Sequence, residues 1–313
     1  MPRQRKLPVD HPAFAPLPVQ MVTLADGGLQ AAVHVRGMLA SQRMPVVCIP
    51  GYQRNMSDFT EFSGYFQRVG DGQWPVVLID LPGRGRSSDR VKAQDYGSPR
   101  DARDVAAVLA ALGIEQAVFV GQGYGGQVVM ALAAAHPLLL AGVVLLDASP
   151  VTDSRGIVRL RNNLQHVESL RGAKAVRAGF RTMLLGDYPG SGESQLDALI
   201  LRSHFLDRRG RAWPLHDPRL ITALEAFSFD DVLVAQWPLF DALAATPLML
   251  LRTQLTDQVR RQTFDDMVRR RPDAVALTIA GQGSPALLDQ HQEIEAIAAF
   301  AIEVSTKALG KAA

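Results

Sequence analysis

A mostly parallel, doubly wound α/β sheet with a helical insertion is what this sequence predicts, and three observations carry the expectation. Short runs rich in Val, Ile and Leu, bounded by Gly and Pro, recur at Val46–Ile49, Val76–Ile79, Ala117–Val120, Val143–Leu146, Leu248–Leu251 and Ala274–Ile279. Runs that are apolar on both faces are the mark of buried parallel strands. Helix-length amphipathic segments lie among them, at Ser57–Val69, Arg100–Leu112, Gln127–Ala135, Arg260–Arg270 and Leu288–Ile302, and such alternation is that of βαβ units. The rhythm stops between Val151 and Trp237, where no convincing strand appears and the pattern turns helical, with breaks at Gly186, Pro189, Gly190, Gly192, Gly210 and Pro214.

Taken in order, residues 1–18 read as a proline-rich tail whose basic positions Arg3, Arg5 and Lys6 are solvated. Val19–Leu24 and Gln30–Val35 flank Asp26-Gly27-Gly28 and read as an antiparallel hairpin on one edge of the sheet. Residues 19–150 and 237–313 then form the core, and 151–236 form a helical cap over it. The most apolar stretch, Val128–Leu146, is broken by His136-Pro137, so it reads as a buried helix and strand, not a membrane span.

Composition narrows the function. The 313 residues are 47% hydrophobic, 20% charged and 6% aromatic, which is ordinary for a globular chain. The 33 basic and 31 acidic residues leave +2 with no massed stripe, so neither nucleic acid nor an anionic membrane is an expected partner. A single cysteine, Cys48, excludes an internal disulfide and a cysteine-based metal cluster and fits a reducing, cytoplasmic setting. No HExxH or similar set is present, so no metal is expected.

After Ala117–Val120 comes Gly121-Gln122-Gly123-Tyr124-Gly125-Gly126, a sharp glycine-rich turn into a helix. This resembles the nucleophile elbow of the α/β-hydrolase superfamily. Further matches follow in the family's order. Cys48-Ile49-Pro50-Gly51-Tyr52 stands where the family supplies an oxyanion NH. Asp80-Leu81-Pro82-Gly83-Arg84-Gly85-Arg86-Ser87 resembles its Asp-x-x-Gly-x-Gly-x-Ser turn. Leu251-Arg252-Thr253-Gln254-Leu255-Thr256-Asp257 looks like the strand end that bears the triad acid. Pro238-Leu239-Phe240-Asp241 and Gly281-Gln282-Gly283-Ser284-Pro285 complete the likeness to bacterial, lid-containing members.

The resemblance implies a Ser–His–Asp triad, and two of its members are absent. Gly123 stands at the nucleophile position and Ser284 at that of the histidine, which leaves Asp257 as the acid. Glycine offers no attacking atom, and serine is not a proton acceptor near neutral pH. Loss of nucleophile or base in a serine protease costs about 10⁶ in turnover, about 8 kcal/mol of barrier, so an ordinary serine-hydrolase mechanism is not supported. His291, seven residues beyond Ser284, reads as a surface position of the last helix. The resemblance still implies a pocket lined by Gly51, Tyr52, Gln122 and Tyr124, with the NH groups of Tyr52 and Tyr124 turned inward.

Replacement chemistry has several candidates, each with a plainer reading. Cys48 reads as core and Asp80 as the tie of the turn after it. His166, His204 and His216 are candidates for reaching the pocket from the insertion, or else packing residues. Gly121-x-Gly123-x-x-Gly126 is also formally a dinucleotide fingerprint, with Asp147 as its ribose acid. It falls at the third parallel strand and too few strands follow, so Asp147 reads instead as the polar end of a buried strand. The expectation is a pseudo-hydrolase that needs no cofactor and binds a small apolar or carboxylated molecule. The alternatives are an enzyme of the same fold with lyase, cyclase or weak hydrolase chemistry, or, as a minor one, a dinucleotide binder. A homodimer is left open.

Overall fold

The computed structural model describes residues 5–8, 10–25, 28–41, 43–69 and 72–312. Pro2, Arg3, Asp26 and Gly27 lie outside them. In chain order the elements are β1 Gln20–Thr23, β2 Gln30–Arg36, β3 Val46–Ile49, α1 Thr60–Val69, β4 Val76–Asp80, α2 Ser98–Ala111, β5 Ala117–Gln122, α3 Tyr124–Ala135 and β6 Leu140–Leu146. The insertion follows, with α4 Ser154–Ser169, α5 Ala173–Leu185, α6 Glu193–Leu201, β7 His204–Leu206, β8 Ala212–Pro214 and α7 Arg219–Thr222. The chain closes with α8 Trp237–Asp241, β9 Leu248–Thr253, α9 Arg261–Arg270, β10 Val275–Ile279 and α10 His291–Ala312.

One eight-stranded sheet runs in the order β1-β2-β4-β3-β5-β6-β9-β10. The β1–β2 hairpin is antiparallel and joins β4 antiparallel, and every later pairing is parallel. Alternate side chains feed two cores. Val47, Ile49, Phe119 and Leu145 pack with α2 and α3 residues such as Val105, Val108 and Val129 on one face. Val46, Cys48, Val118, Val120 and Leu146 pack with Phe62, Phe66, Ile297 and Ala301 of α1 and α10 on the other. No helix among the described residues is long and apolar enough to cross a membrane.

Several boundaries differ from the sequence expectation for local reasons. Asn55 caps a 3₁₀ turn at Met56–Phe59, its side chain accepting from the Ser57 NH at 3.0 Å, so α1 starts only at Thr60. α3 starts at Tyr124, three residues early, because two glycines enter the helix for packing reasons given below. α10 starts at His291, as Leu288 has φ +49° and cannot be helical. Between residues 151 and 236 a small hairpin, β7–β8, appears where no strand was expected. Its strands are three residues each, too short to show a period.

The solvated tail is also corrected. Arg5 pairs with the buried carboxylate of Asp89 and donates to the Gly85 carbonyl at 2.7 Å. Phe14 and Leu17 are buried, Phe14 under the Arg86 guanidinium at 4.6 Å, and His11 meets the Leu201 carbonyl of the insertion at 2.7 Å. Apolar residues spaced among prolines let a segment of successive turns bury Phe14 and Leu17 without the periodicity of a helix.

The tightest packing lies where β5 turns into α3. A Cβ at Gly125 would stand 2.1 Å from the Ile49 carbonyl oxygen, and one at Gly121 would stand 2.6 Å from Gly126 Cα. Gly125→Ala should therefore cost at least about 1–3 kcal/mol despite alanine's better helix propensity. Gly190→Ala, where a Cβ meets nothing within 4 Å, is the control and should be near neutral. Urea unfolding midpoints of the two variants check this.

Candidate active site

The tip of the β5–α3 turn is Gly123, with φ +54° and ψ −117°. A residue with a Cβ adopts that backbone only under strain of order 1–3 kcal/mol. Its NH is fixed by the Leu146 carbonyl at 2.8 Å and its carbonyl accepts from Gly126 NH at 3.0 Å. A Cβ at position 123 would meet nothing within 4 Å. The elbow is intact, and it holds room where a side chain would stand. Gly121 and Gly126 are accounted for by close packing and Gly123 by its positive φ, so none of the three fingerprint glycines needs a dinucleotide to explain it.

Gly123 opens into a cavity of about 700 Å³ between the sheet's C-terminal edge and the insertion. Gly51, Tyr52, Gln122, Tyr124 and Ser284 line it, as expected from the sequence, and so does Asp147, which the sequence reading placed only as a strand end. The insertion contributes Ile157, Leu160, Leu224 and Phe227 as an apolar wall. Tyr124 is the first residue of α3, so its NH has no intrahelical acceptor.

Behind the tyrosines lies a buried charge network. Asp101 receives Arg84 Nη1 at 3.1 Å, Arg90 Nη2 at 2.7 Å and the Tyr124 hydroxyl at 2.8 Å. The Arg84 guanidinium sits 5.2–5.5 Å from the ring centres of Tyr52, Tyr96 and Tyr124 and donates to the Tyr52 carbonyl at 2.7 Å. Asp80 ties the turn it begins, accepting from the NH groups of Met56 at 2.7 Å and Arg86 at 2.9 Å.

The expected acid is displaced. Asp257 lines an adjoining groove that shares Asp153 and Gly156 with the cavity, and its carboxylate there pairs with Arg159 Nε of α4 at 2.7 Å. The carboxylate that shares the cavity with Ser284 is Asp147, just past the end of β6, with φ +47°. It accepts from the Thr253 NH at 2.8 Å and from the Thr253 hydroxyl at 2.6 Å. Burial pushes its carboxyl up to about 6, against the pull of Thr253, the Arg252 charge and Ser284. The signal that could have found it is its position one residue past a strand buried along its whole length, beside the elbow strand.

The insertion histidines do not reach the cavity. His166 is exposed on α4. His204 and His216 are fully buried, with rings 5.9 Å apart, and burial pushes His204 down to about 3 and His216 down as well. Both pack where the hairpin joins the Arg84 turn, to which His216 is bridged. His291, at the exposed start of α10, rests against Tyr65 at 5.9 Å.

Comparison with known proteins agrees with this architecture. The profile of the α/β hydrolase fold matches residues 44–163. The pimeloyl acyl-carrier-protein methyl ester esterase of Aeromonas hydrophila is 30% identical over 239 residues, 73% of this chain and 85% of that one. The 3-hydroxybutyrate-oligomer hydrolase of Cupriavidus necator is 25% identical over 282 residues, 86% and 92% of the two chains. An α/β hydrolase structure from Novosphingobium aromaticivorans superposes with a TM-score of 0.79 at 29% identity, covering 92% of this chain and 98% of that one. The chain belongs to the α/β-hydrolase family.

The raised Asp147 carboxyl has a stability signature. A buried acid whose folded value, about 6, exceeds its unfolded one binds its proton more tightly when folded. Its stabilising contribution is full below about pH 4 and is lost as pH rises through 6, by about 2–3 kcal/mol. Asp147→Asn should therefore lose less stability than wild type between pH 4.5 and 7. The difference in urea unfolding free energy at the two pH values measures it, and an identical pH slope in both proteins would refute the assignment.

Proposed function

We propose that this chain binds a small, mainly apolar molecule bearing a carbonyl or carboxyl group beneath a lid formed by residues 151–236. It carries no covalent acyl-enzyme chemistry, a pseudo-hydrolase with respect to the serine mechanism. The observation that carries this reading is Gly123 at the elbow tip, with an open cavity beside it and no attacking atom on the turn. The apolar wall from the insertion supports the class of ligand, and the unpaired NH of Tyr124, with that of Tyr52 opposite, supports the polar group it would hold. Relatives named as esterases and hydrolases make acyl compounds the natural class to screen.

A second reading, an enzyme of this fold with chemistry other than the triad's, is favoured by one feature. Asp147 is a cavity carboxyl whose proton is poised near neutrality, and such groups are common at acid–base sites.

Wild type should not be labelled by serine-directed fluorophosphonates. Gly123→Ser with Ser284→His should restore labelling and raise kcat/KM on p-nitrophenyl butyrate at least about tenfold, while each single change does little, since nucleophile and base act as a unit. In that double variant Asp147→Asn should abolish the gain and Asp257→Asn should not. Stoichiometric labelling of wild type would sink the proposal.

A further inference from the structure

We infer that the space beside Gly123 is a water-activating site in which Asp147 is the general base for direct, non-covalent hydrolysis of a bound acyl ester. The inference rests on the cavity reading above and deepens it, naming the reaction open to a site that has lost its nucleophile.

Three placements carry it. The NH of Gly123 is held by the carbonyl of Leu146, the residue before Asp147, and Gly123 and Asp147 line the same cavity. Asp147 and Ser284 line the cavity, the NH and hydroxyl of Thr253 fix the carboxylate's aim, and Ser284 supplies no second base. Gln122, the residue before the tip, is 1% exposed and lines the same cavity. Its Nε2 donates to the Ala286 carbonyl at 3.1 Å, which turns the amide oxygen the other way, and Oε1 has no hydrogen-bond partner among the described residues. A buried acceptor costs about 1–3 kcal/mol if it stays unpaired. A water lodged beside Gly123 has two protons to give, one for Asp147 and one for Gln122 Oε1.

The step balances without a co-reactant. The water oxygen bonds to the ester carbonyl carbon while its proton passes to an Asp147 oxygen. The oxyanion that forms is met by the NH of Tyr124. On collapse the carbon–oxygen bond to the alcohol breaks and Asp147 returns its proton to the departing alkoxide. Products are a carboxylic acid and an alcohol, and the carboxylate is regenerated. The charged and titratable groups facing Asp147 are Arg252 of β9 and Tyr188, between α5 and α6. The Arg252 charge favours the carboxylate, and burial opposes it.

The test measures binding and turnover apart. Valerophenone, a ketone that cannot be hydrolysed, reports binding by calorimetry, and p-nitrophenyl butyrate reports turnover. Wild type should turn over slowly, with a rate rising through one ionisation near pH 6 and no acyl-protein detectable by mass spectrometry of quenched reactions. Asp147→Asn should cut kcat at least about 100-fold with valerophenone affinity unchanged within threefold. Thr253→Val removes a hydrogen bond that favours the carboxylate and should move the inflection upward, a shift that a merely structural role would not give. Binding without turnover in wild type, or an Asp147→Asn variant that binds and turns over normally, overturns this inference and leaves the cavity reading standing. An acyl adduct on Ser284 overturns the direct attack by water. Failure to bind valerophenone overturns the cavity reading and the inference with it.

Discussion

The contact between Gly125 and the Ile49 carbonyl is the constraint on which the site depends. With 2.1 Å between a notional Cβ and that oxygen, only glycine lets α3 begin against the end of β3. Once that approach is fixed, the chain has one residue in which to reverse, and position 123 is driven to positive φ. The turn then places the Tyr124 NH, the space beside Gly123 and the Pro50–Tyr52 segment around one point. Here the geometry of the elbow is set by its neighbours, so it survives whatever side chain occupies the tip.

Asp101 performs the corresponding task for the cavity wall. Two arginines and the Tyr124 hydroxyl converge on it with essentially no solvent contact, so removing the carboxylate would leave buried Arg84 without its ion-pair partner, while Arg90 would keep Asp104. The desolvation cost of such a cluster is large, and it is offset only while every partner stays in place. The tyrosines that line the cavity are consequently packed on a charged base. The apolar wall opposite is tied differently, through Arg161 of α4, which donates to the carbonyls of Leu224 at 3.1 Å and Phe227 at 2.9 Å in the segment after α7.

Much of this was legible in the sequence. Buried parallel strands are apolar on both faces, so Val46–Ile49 and Val76–Ile79 identify themselves, and the glycine spacing at 121–126 reports close packing directly. What escaped notice depended on contacts between distant segments. Asp257 sits at the expected strand end, but Arg159 of the insertion draws its carboxylate into another groove. His204 and His216 looked like reagents because burial is invisible one residue at a time. Arg5 looked solvated because its partner, Asp89, lies 84 positions away.

Ser284 and Thr253, rather than a basic side chain, stand beside the Asp147 carboxyl, and that has an electrostatic consequence. A carboxylate buried beside an imidazole is sustained by a partner able to carry positive charge. Ser284 offers Asp147 no charge, and the two hydrogen bonds from Thr253 with the nearby Arg252 charge do not match the cost of removing a full charge from water. The balance is settled by the carboxyl holding its proton to about pH 6. A residue that would only orient a histidine thereby becomes a group that gains and loses a proton near neutrality, at the floor of a cavity whose elbow has no nucleophile. Burial of this carboxyl one residue beyond β6, at the wall of the cavity that Gly123 and Ser284 also line, is what raises its proton affinity.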